Sequence, residues 1–410
     1  MKRIDFFKNT KSQYGVLVAF TKGLQQALRR AKIASRTFDI LTQSEGDILS
    51  FFAKDMPDCT IGFNVIPGHL SFEQLGVPHV ALIVDCATHY LEMLECKNAI
   101  AGFVEEDSCG FFKLCGHKNV IFFPHAIDQK QLRSASEMKV KRDLDVVMCG
   151  SFSDAELIRA SWKLLLSKKA QDFLLDAAEQ VLASDHLTHL QIFVTEMEKK
   201  GFFAEELKEK GIPAFTLINW LEIYIRGIDR IRFIQAIEGH DIHIFGQKEE
   251  QELWKKALKR KKRLFFHEKV PYDKLPEVFL RTRAVINSMA TIKRGLHERL
   301  LLGLSQGASV LSNDNIFIEK TFNQPKALLN IRMPDYSQAN ELLAHAFENE
   351  EERINDIMKA HKIIRDQHTF DVRVKMLQDT LPQMIQNVLR NQTLDATFTT
   401  AKRRTFPYSN

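Results

Sequence analysis

The sequence lacks the patterns by which several large classes of protein are recognised. Its 410 residues contain no P-loop, no glycine-rich nicotinamide fingerprint and no zinc-ligand motif. Six cysteines are present, but none forms a CxxC pair or a metal-ligand spacing, which predicts reduced thiols in a cytoplasmic protein. The opening segment, residues 1–15, has no apolar core of a signal peptide, and no window reaches the ~18 apolar residues of a membrane span. We therefore expect a cytoplasmic protein with no membrane span, no metal site and no bound cofactor.

Length and composition indicate a folded protein of two domains. Hydrophobic residues make up 45% of the chain and charged residues 27%, with a net charge of +5. This composition is ordinary for globular proteins, and 410 residues exceed what a single core usually holds. The net charge selects no partner, although it would attract a ligand that carries a diphosphate.

Apolar strand patterns alternate with helical patterns in both halves of the chain. This alternation is typical of doubly wound parallel sheets, and the order of the strands within each sheet is left open. A helix is expected at Val16–Lys32. The predicted strands are Lys2–Phe7, Ser35–Ile40, Thr60–Asn64, His79–Val84, Ile100–Val104 and Asn119–Phe123 in the first half, and Asp145–Met148, Asp241–Phe245, Leu264–His267, Arg283–Ser288 and Ala308–Leu311 in the second.

Polar and charged stretches divide the chain into segments. Residues 129–144 are poor in large apolar side chains and predict an interdomain linker. The basic run 253–263 is interpreted as a solvated helix face rather than a nucleic-acid or anionic-membrane patch. The resulting prediction is a first domain at 1–135, a second at 143–335 with a helical insertion at about 154–238, helices at 336–392 and a mobile tail at 393–410.

One strand-loop-helix segment, 283–315, carries the strongest chemical signal. The loop between its predicted strand and a predicted helix at Leu296–Ser305 contains Lys293, Arg294 and Gly295. Free N–H groups at a helix start favour anions, and neighbouring cations strengthen that field. Cations before a helix are also common without any ligand. We favour the functional interpretation, a phosphate site at Lys293–His297.

Two charged residues open the same predicted helix. The carboxylate of Glu298 suits a helix start through the dipole alone. A cation at that place is disfavoured by the same rule, so Arg299 is expected to have an anionic partner.

Several segments, in this order, resemble the spore-maturation (CgeB-like) glycosyltransferases. One of them is GLHERLLLGLSQGASVL, residues 295–311, and the resemblance rests on the whole set in its order rather than on any one segment. The resemblance implies the GT-B fold, with two Rossmann-like domains facing across a cleft and a last helix, Met376–Val388, that crosses back to the first domain. It also implies transfer of a sugar from a nucleotide-diphosphate donor. The other matching segments are 77–85, 122–128, 145–154, 242–247, 266–279 and 368–373.

The resemblance also suggests residue roles. Gly150 and Ser151 would let backbone amides approach the donor, as in many GT-B sites. With the residues of the helix start, the predicted donor-binding set is Gly150, Ser151, Lys293, Arg294, Gly295, His297, Glu298 and Arg299. Many relatives carry a second carboxylate three residues after the arginine, where it holds the nucleotide ribose. This chain has Leu302 at that position. Glu298, one helical turn earlier, is expected to take its place.

Acidic and basic candidates stand at strand ends. Asp85 and His89 follow a predicted strand of the first domain, and His125 and Asp128 precede the predicted linker. A carboxylate or imidazole of this kind could remove the proton of an acceptor hydroxyl, while positive groups rather than a metal stabilise the leaving diphosphate. We take Asp85, His89 and His125 as the catalytic candidates.

The predicted function is therefore glycosyl transfer from a nucleotide sugar to an acceptor such as a protein, a lipid or a cell-surface glycan precursor, with no nucleic-acid partner. Two alternatives remain. A nucleotide-sugar epimerase would need a similar diphosphate cleft. A catalytically silent GT-B module that binds a nucleotide sugar or a partner protein is favoured by Leu302.

Overall fold

A computed structural model describes residues 1–9, 12–66, 76–96, 99–200, 203–323 and 326–404, except for the side chains of 13, 196–200, 203–204 and 391–404. The chain forms two compact units. The first unit contains residues 1–104, 108–123 and the segment from 370 onward, and the second contains 105–107 and 124–369.

Each unit is built on one sheet, which has six strands in the described part of the chain. All neighbouring strands are parallel. Most strands are apolar and buried along their length, as expected of parallel strands covered on both faces. The strands are β1 Ile4–Lys8, β2 Thr37–Asp39, β3 Cys59–Phe63, β4 His79–Ile83, β5 Ala99–Phe103 and β6 Val120–Phe122 in the first unit, and β7 Leu144–Cys149, β8 Ile242–Gly246, β9 Leu264–Glu268, β10 Thr282–Asn287, β11 Ser309–Asn313 and β12 Leu328–Ile331 in the second.

Helices connect the strands. In chain order they are α1 Val16–Arg30, α2 Glu45–Lys54, α3 Glu106–Leu114, α4 Ala155–Leu165, α5 Lys168–Leu182, α6 His189–Lys200, α7 Phe203–Lys210, α8 Ala214–Ala236, α9 Gln251–Ala257, α10 Leu275–Leu280, α11 Glu298–Ser305, α12 Ile316–Thr321, α13 Gln338–Glu348, α14 Glu350–Gln367 and α15 Phe370–Arg404.

The first sheet has the strand order β2-β1-β3-β4-β5-β6. Helix α1 buries one apolar face against it, including Leu24 and Leu28, which are fully buried. The start of α15 packs on α1, because a Cβ atom added at Gly23 would lie 2.5 Å from the Phe370 ring. Arg30 and Asp371 join the same two helices through paired hydrogen bonds of 2.6 and 2.7 Å.

The second sheet has the order β12-β11-β10-β7-β8-β9. The chain runs outward from β7 through β8 to β9, then returns to the other side of β7 with β10 and continues outward to β12. The direction of winding therefore reverses between β7 and β10. In open parallel sheets, the carboxyl ends of strands at such a reversal form the usual ligand crevice.

The structure confirms two Rossmann-like α/β sheets and moves the predicted strand boundaries by at most two residues. Within segment 283–315, the helix predicted at Leu296–Ser305 begins two residues later, at Glu298, because His297 is extended and holds the N-cap position. The predicted linker is partly packed, since Met138 is fully buried and Arg142 donates to the Thr282 carbonyl at 2.5 Å. The predicted mobile tail is helical to residue 404, and 405–410 lie outside the described residues.

Candidate functional site

The carboxyl ends of β7 and β10 carry most of the predicted donor residues. Gly150 and Ser151 follow β7 directly, and the loop 288–297 leads from β10 into α11. The Gly150 N–H donates to the Phe245 carbonyl at 3.2 Å, which fixes the chain as it leaves the sheet. The winding reversal of the second sheet thus lies beside both segments.

Helix α8, the last of the insertion, is anchored against these loops. A Cβ atom on Gly227 would lie 2.4 Å from the Ser153 carbonyl oxygen, so only glycine allows this close approach. Asp229 is fully buried and accepts hydrogen bonds from Ser288 at 2.5 Å and from Asn313 at 2.8 Å. These bonds tie α8 to the carboxyl ends of β10 and β11, which fixes the direction of the next residue, Arg230.

Two guanidinium groups converge on Gly150. One Nη atom of Arg230 and one of Arg299 each lie 3.7 Å from the position that a Cβ atom of Gly150 would occupy. Arg230 also donates to the Ser151 carbonyl, and to the Ser153 hydroxyl at 3.3 Å. Its Nε and the Nη1 of Arg299 are buried and have no hydrogen-bond partner among the described residues.

The electrostatics of this pair favour an anion. Burial, together with the nearby charges of Arg226 and Arg299, lowers the pKa of Arg230 to about 9, against the opposing effect of Glu222 and Asp229. Arg230 therefore stays charged at neutral pH while it is only 7% exposed. Two guanidiniums at one backbone turn repel each other, and a diphosphate would remove that repulsion and supply acceptors for the free N–H groups.

A second group of side chains surrounds Glu298. Its Oε2 lies 2.9 Å from Nδ1 of His297 and 3.6 Å from Nε2 of His125. The two imidazole rings have centroids 5.7 Å apart. Burial raises the pKa of Glu298, but His297, His125 and Arg299 outweigh burial and hold the pKa well below its ordinary value. Glu298 is therefore a carboxylate at neutral pH.

The proton on His297 decides between two contacts. The backbone N–H of Arg299 points at Nδ1 of His297 at 3.3 Å, which requires a lone pair there. The 2.9 Å contact of the same Nδ1 with Glu298 requires a proton instead. We favour the contact with Glu298, because a hydrogen bond to a carboxylate is shorter and stronger. Burial lowers the pKa of His297, and Glu298 opposes that shift.

Lys293 occupies a different place from the one predicted. It is fully buried, and its ammonium group donates to the carbonyls of Val181 at 3.1 Å and Ser184 at 2.6 Å. These carbonyls lie at the carboxyl end of helix α5, where the helix dipole stabilises a cation. Lys293 therefore stabilises the insertion, and we leave it out of the proposed donor site. Its loop position alone did not reveal this, because the direction of the side chain depends on α5.

Arg294 and Gly295 are also held by neighbouring side chains. Nε of Arg294 lies 3.1 Å from Oδ1 of Asp107. The Gly295 carbonyl accepts from Asn315 at 3.2 Å. Of the three predicted cations Lys293, Arg294 and Arg299, the one whose guanidinium lies beside Gly150 is Arg299, at the start of α11.

The remaining predicted catalytic residues lie in the first unit. Asp85 is exposed just after β4, and its carboxylate accepts a 2.6 Å hydrogen bond from Asn64. Asn64 also accepts from the Val84 N–H at 2.9 Å, so it orients the strand end that carries Asp85. His89 is exposed in the 3-10 helix that follows.

Asp128 and Leu302, which were also singled out in the sequence, have roles in the fold itself. Asp128 caps the short helix Gln129–Gln131 and accepts from the Lys130 N–H at 3.0 Å. Leu302 is fully buried in α11.

Sequence reasoning missed Arg230 and Asn64. The 154–238 insertion is predicted only as a helical segment, and α8 buries an apolar face that includes Leu217, Leu221 and Ile225. The available signal was the cluster of charges, Glu222, Arg226, Asp229 and Arg230, within an otherwise apolar helix, since buried charges need a specific reason to be there.

Comparisons with known proteins fit this geometry. Residues 230–379 match the family model described as glycosyl transferase-like. This range begins at Arg230 and includes the loop 288–297 and helix α11. No protein of curated function matches the chain in sequence.

Solved structures show where the fold occurs. Sucrose-phosphate synthase from Thermosynechococcus elongatus is 7% identical with a TM-score of 0.56, over 93% of this chain and 99% of that chain. HepE from Anabaena in complex with UDP-glucose is 11% identical with a TM-score of 0.52, over 93% and 99%. AviGT4, a glycosyltransferase involved in avilamycin A biosynthesis, is 10% identical with a TM-score of 0.51, over 95% and 99%. At these identities the likeness shows the fold, which is the predicted GT-B type. No helix in the described part of the chain is long and apolar enough to cross a membrane.

Proposed function

We propose that this protein is a glycosyltransferase that uses a nucleotide-diphosphate sugar as donor. The family match over 230–379 and the fold shared with HepE, whose structure contains UDP-glucose, support this proposal. The observation that carries it is the convergence of Arg230 and Arg299 on Gly150, at the winding reversal of the second sheet.

The diphosphate would lie against the Gly150–Ser151 backbone, between these two guanidiniums. Planar guanidinium groups match phosphate oxygens with paired hydrogen bonds. When the bond between the anomeric carbon and the diphosphate oxygen breaks, negative charge grows on that oxygen. Arg230 and Arg299 would stabilise this charge, so we propose that they replace a metal ion in assisting the leaving group.

The acceptor hydroxyl must lose a proton as its oxygen bonds to the anomeric carbon. We propose Asp85 as the general base, because its carboxylate is exposed at a strand end and oriented by Asn64. His89, exposed in the following 3-10 helix, and His125, beside Glu298, are the other candidates. The proposed acceptor is a hydroxyl group of a protein, a lipid or a glycan.

Glu298 is proposed to bind the nucleotide ribose. Its carboxylate is ionised, and a carboxylate can accept two hydrogen bonds from a ribose diol. His297 and His125 already occupy part of its surface, so they would orient the carboxylate for the ligand. The finer assignment to the CgeB-like group stays a prediction from the sequence.

A silent binding module is the second candidate. It is favoured by Leu302, which is fully buried where the resemblance implies a ribose-binding carboxylate. The epimerase alternative gains no specific support from the site geometry.

Measurements of donor binding and of donor turnover distinguish a glycosyltransferase from a silent binding module. The full chain would be titrated with a panel of nucleoside diphosphates and nucleotide sugars, and donor hydrolysis would be followed with water in place of the acceptor. We expect one nucleotide to bind, Arg299→Ala to weaken its binding, and Asp85→Asn to bind normally but lose turnover. Binding without turnover in the wild type would favour the silent module, and failure of every nucleotide to bind would contradict the proposal.

A further inference from the structure

A second cluster of arginines surrounds a cavity at the amino end of the second sheet. Arg142, Arg283 and Arg353, with Lys141, line a space of about 220 Å³. Arg283 is the second residue of β10, and Arg142 lies two residues before β7. We call this cavity the arginine pocket. It lies at the edge of the sheet opposite to the one that carries Gly150.

Backbone carbonyls hold all three arginines in place, and Arg283 donates to the Phe347 carbonyl at 3.1 Å. Arg142 donates to the carbonyls of Thr282 at 2.5 Å and Gln306 at 3.0 Å, and Arg353 donates to the Gly307 carbonyl. Carbonyl groups satisfy hydrogen bonds but carry no full charge. The positive charges of the pocket therefore need another source of compensation.

The carboxylates present compensate these positive charges only in part. Among the lining residues there are four cations but one carboxylate, Glu350, which lies 3.3 Å from Arg353 and is itself 60% exposed. An exposed carboxylate is screened by water and stabilises its partner weakly. Arg283 is 3.4 Å from Asp145, and its guanidinium carbon lies 3.8 Å above the Phe347 ring.

Three further observations show that these arginines are buried and charged, and that one of their N–H groups has no hydrogen-bond partner among the described residues. Arg353 is only 8% exposed. Burial and the neighbouring charge of Arg353 lower the pKa of Arg142 to about 9, with Glu350 opposing, so Arg142 remains charged at neutral pH. The Nε of Arg142 is buried and has no hydrogen-bond partner among the described residues.

We propose that the arginine pocket binds a small free phosphate-type anion, such as inorganic phosphate or pyrophosphate. Guanidinium forks match the tetrahedral oxyanion, and the anion would neutralise charges that repel one another. A cavity of 220 Å³ is smaller than the roughly 300–1,000 Å³ of pockets that hold drug-sized ligands, which favours a small anion over a whole nucleotide.

The pocket is connected to the proposed donor site through one helix. Arg142 and Arg353 donate to carbonyls just after the carboxyl end of α11, and Glu298 and Arg299 begin the same helix. The proposal does not depend on the function proposed above, because it rests on different side chains.

Isothermal titration of the full chain with phosphate and pyrophosphate tests the proposal. Arg299→Ala, which alters the donor site alone, should keep this binding. Arg283→Gln should weaken it about 10- to 100-fold, the effect of losing hydrogen bonds to a charged ligand. Lys362→Ala is the matched control, because it removes one positive charge from an exposed site on α14, the helix that carries Arg353, and it should change affinity less than about twofold.

The outcomes are distinct. If Arg283→Gln does not fold, the exposed Lys141→Ala takes its place and should also weaken binding. Unchanged affinity in the pocket variants, or loss of binding in Arg299→Ala alone, would overturn the proposal. UDP should not displace pyrophosphate from the Arg299→Ala protein, and displacement would refute the preference for a small anion.

Discussion

Replacement of Arg230 by alanine is the perturbation that bears most directly on the proposed donor site. The guanidinium of Arg230 lies beside Gly150 with an unpartnered, buried Nε, and it is 7% exposed. If it binds a diphosphate, the variant loses at least one hydrogen bond to a charged ligand. That loss costs about 1.5–3 kcal/mol of binding free energy, which lowers donor affinity by about 10- to 150-fold.

The same variant has a smaller effect on folding. It removes the donors to the Ser151 carbonyl and the Ser153 hydroxyl, at about 0.5–1.5 kcal/mol each in the free energy of unfolding. It also relieves repulsion from Arg226 and Arg299, which offsets part of that loss. Arg230→Lys keeps the charge without the planar fork and should fall between wild type and alanine in donor affinity.

Isothermal titration with the preferred nucleoside diphosphate measures the affinity, and urea unfolding measures the stability. Arg232→Ala is the matched control, because Arg232 lies on the same helix but pairs with Glu179 at 2.8 Å. Its loss should leave donor affinity within a factor of about two. Equal affinities in folded Arg230→Ala and Arg232→Ala proteins would refute the role of Arg230.

Three further predictions follow from buried groups. Lys293→Met should lower the free energy of unfolding by roughly 1–3 kcal/mol in urea titrations, since the Ser184 carbonyl loses the ammonium group as its partner while the Val181 carbonyl keeps the Ser184 N–H, and affinity for the sugar donor should stay unchanged. Burial raises the pKa of Glu105 from 4.5 to about 7, so its protonated form stabilises the fold below pH 4.5 and this contribution is lost as pH rises to about 7. Relative to Glu105→Gln, the wild type should therefore lose about 3 kcal/mol of unfolding free energy across that range, and parallel pH curves would contradict the assignment. Glu298→Ala should reduce donor affinity in calorimetry, whereas Leu302→Ala should lower the free energy of unfolding by about 2–5 kcal/mol and leave the affinity of the folded protein unchanged.

The periodic parts of the fold could be predicted from the sequence. Continuous apolar runs such as 80–84 identify buried strands because parallel sheets are covered on both faces. Strand order could not be predicted, since it depends on which crossover packs on which face. The helix start at Glu298 was misplaced by two residues because the backbone of His297 is extended and holds the N-cap position, which the leucine spacing does not show.

The candidate site was predictable only in part. Arg299 was expected to have an anionic partner from its position at a helix start. Its guanidinium lies beside Gly150, and the anionic partner stays a prediction. Lys293 had the same apparent signal, but its side chain turns toward the end of α5, more than a hundred residues earlier in the chain. Arg230 was missed because it stands in a helix whose apolar pattern explains its packing without any ligand.

A crystal structure of the full chain with its preferred nucleoside diphosphate is the most direct test of the proposed donor site. The account predicts diphosphate oxygens about 2.7–2.9 Å from guanidinium nitrogens of both Arg230 and Arg299, beside the Gly150 backbone. A diphosphate bound in the second unit without either guanidinium, or bound away from the carboxyl ends of β7 and β10, would contradict it.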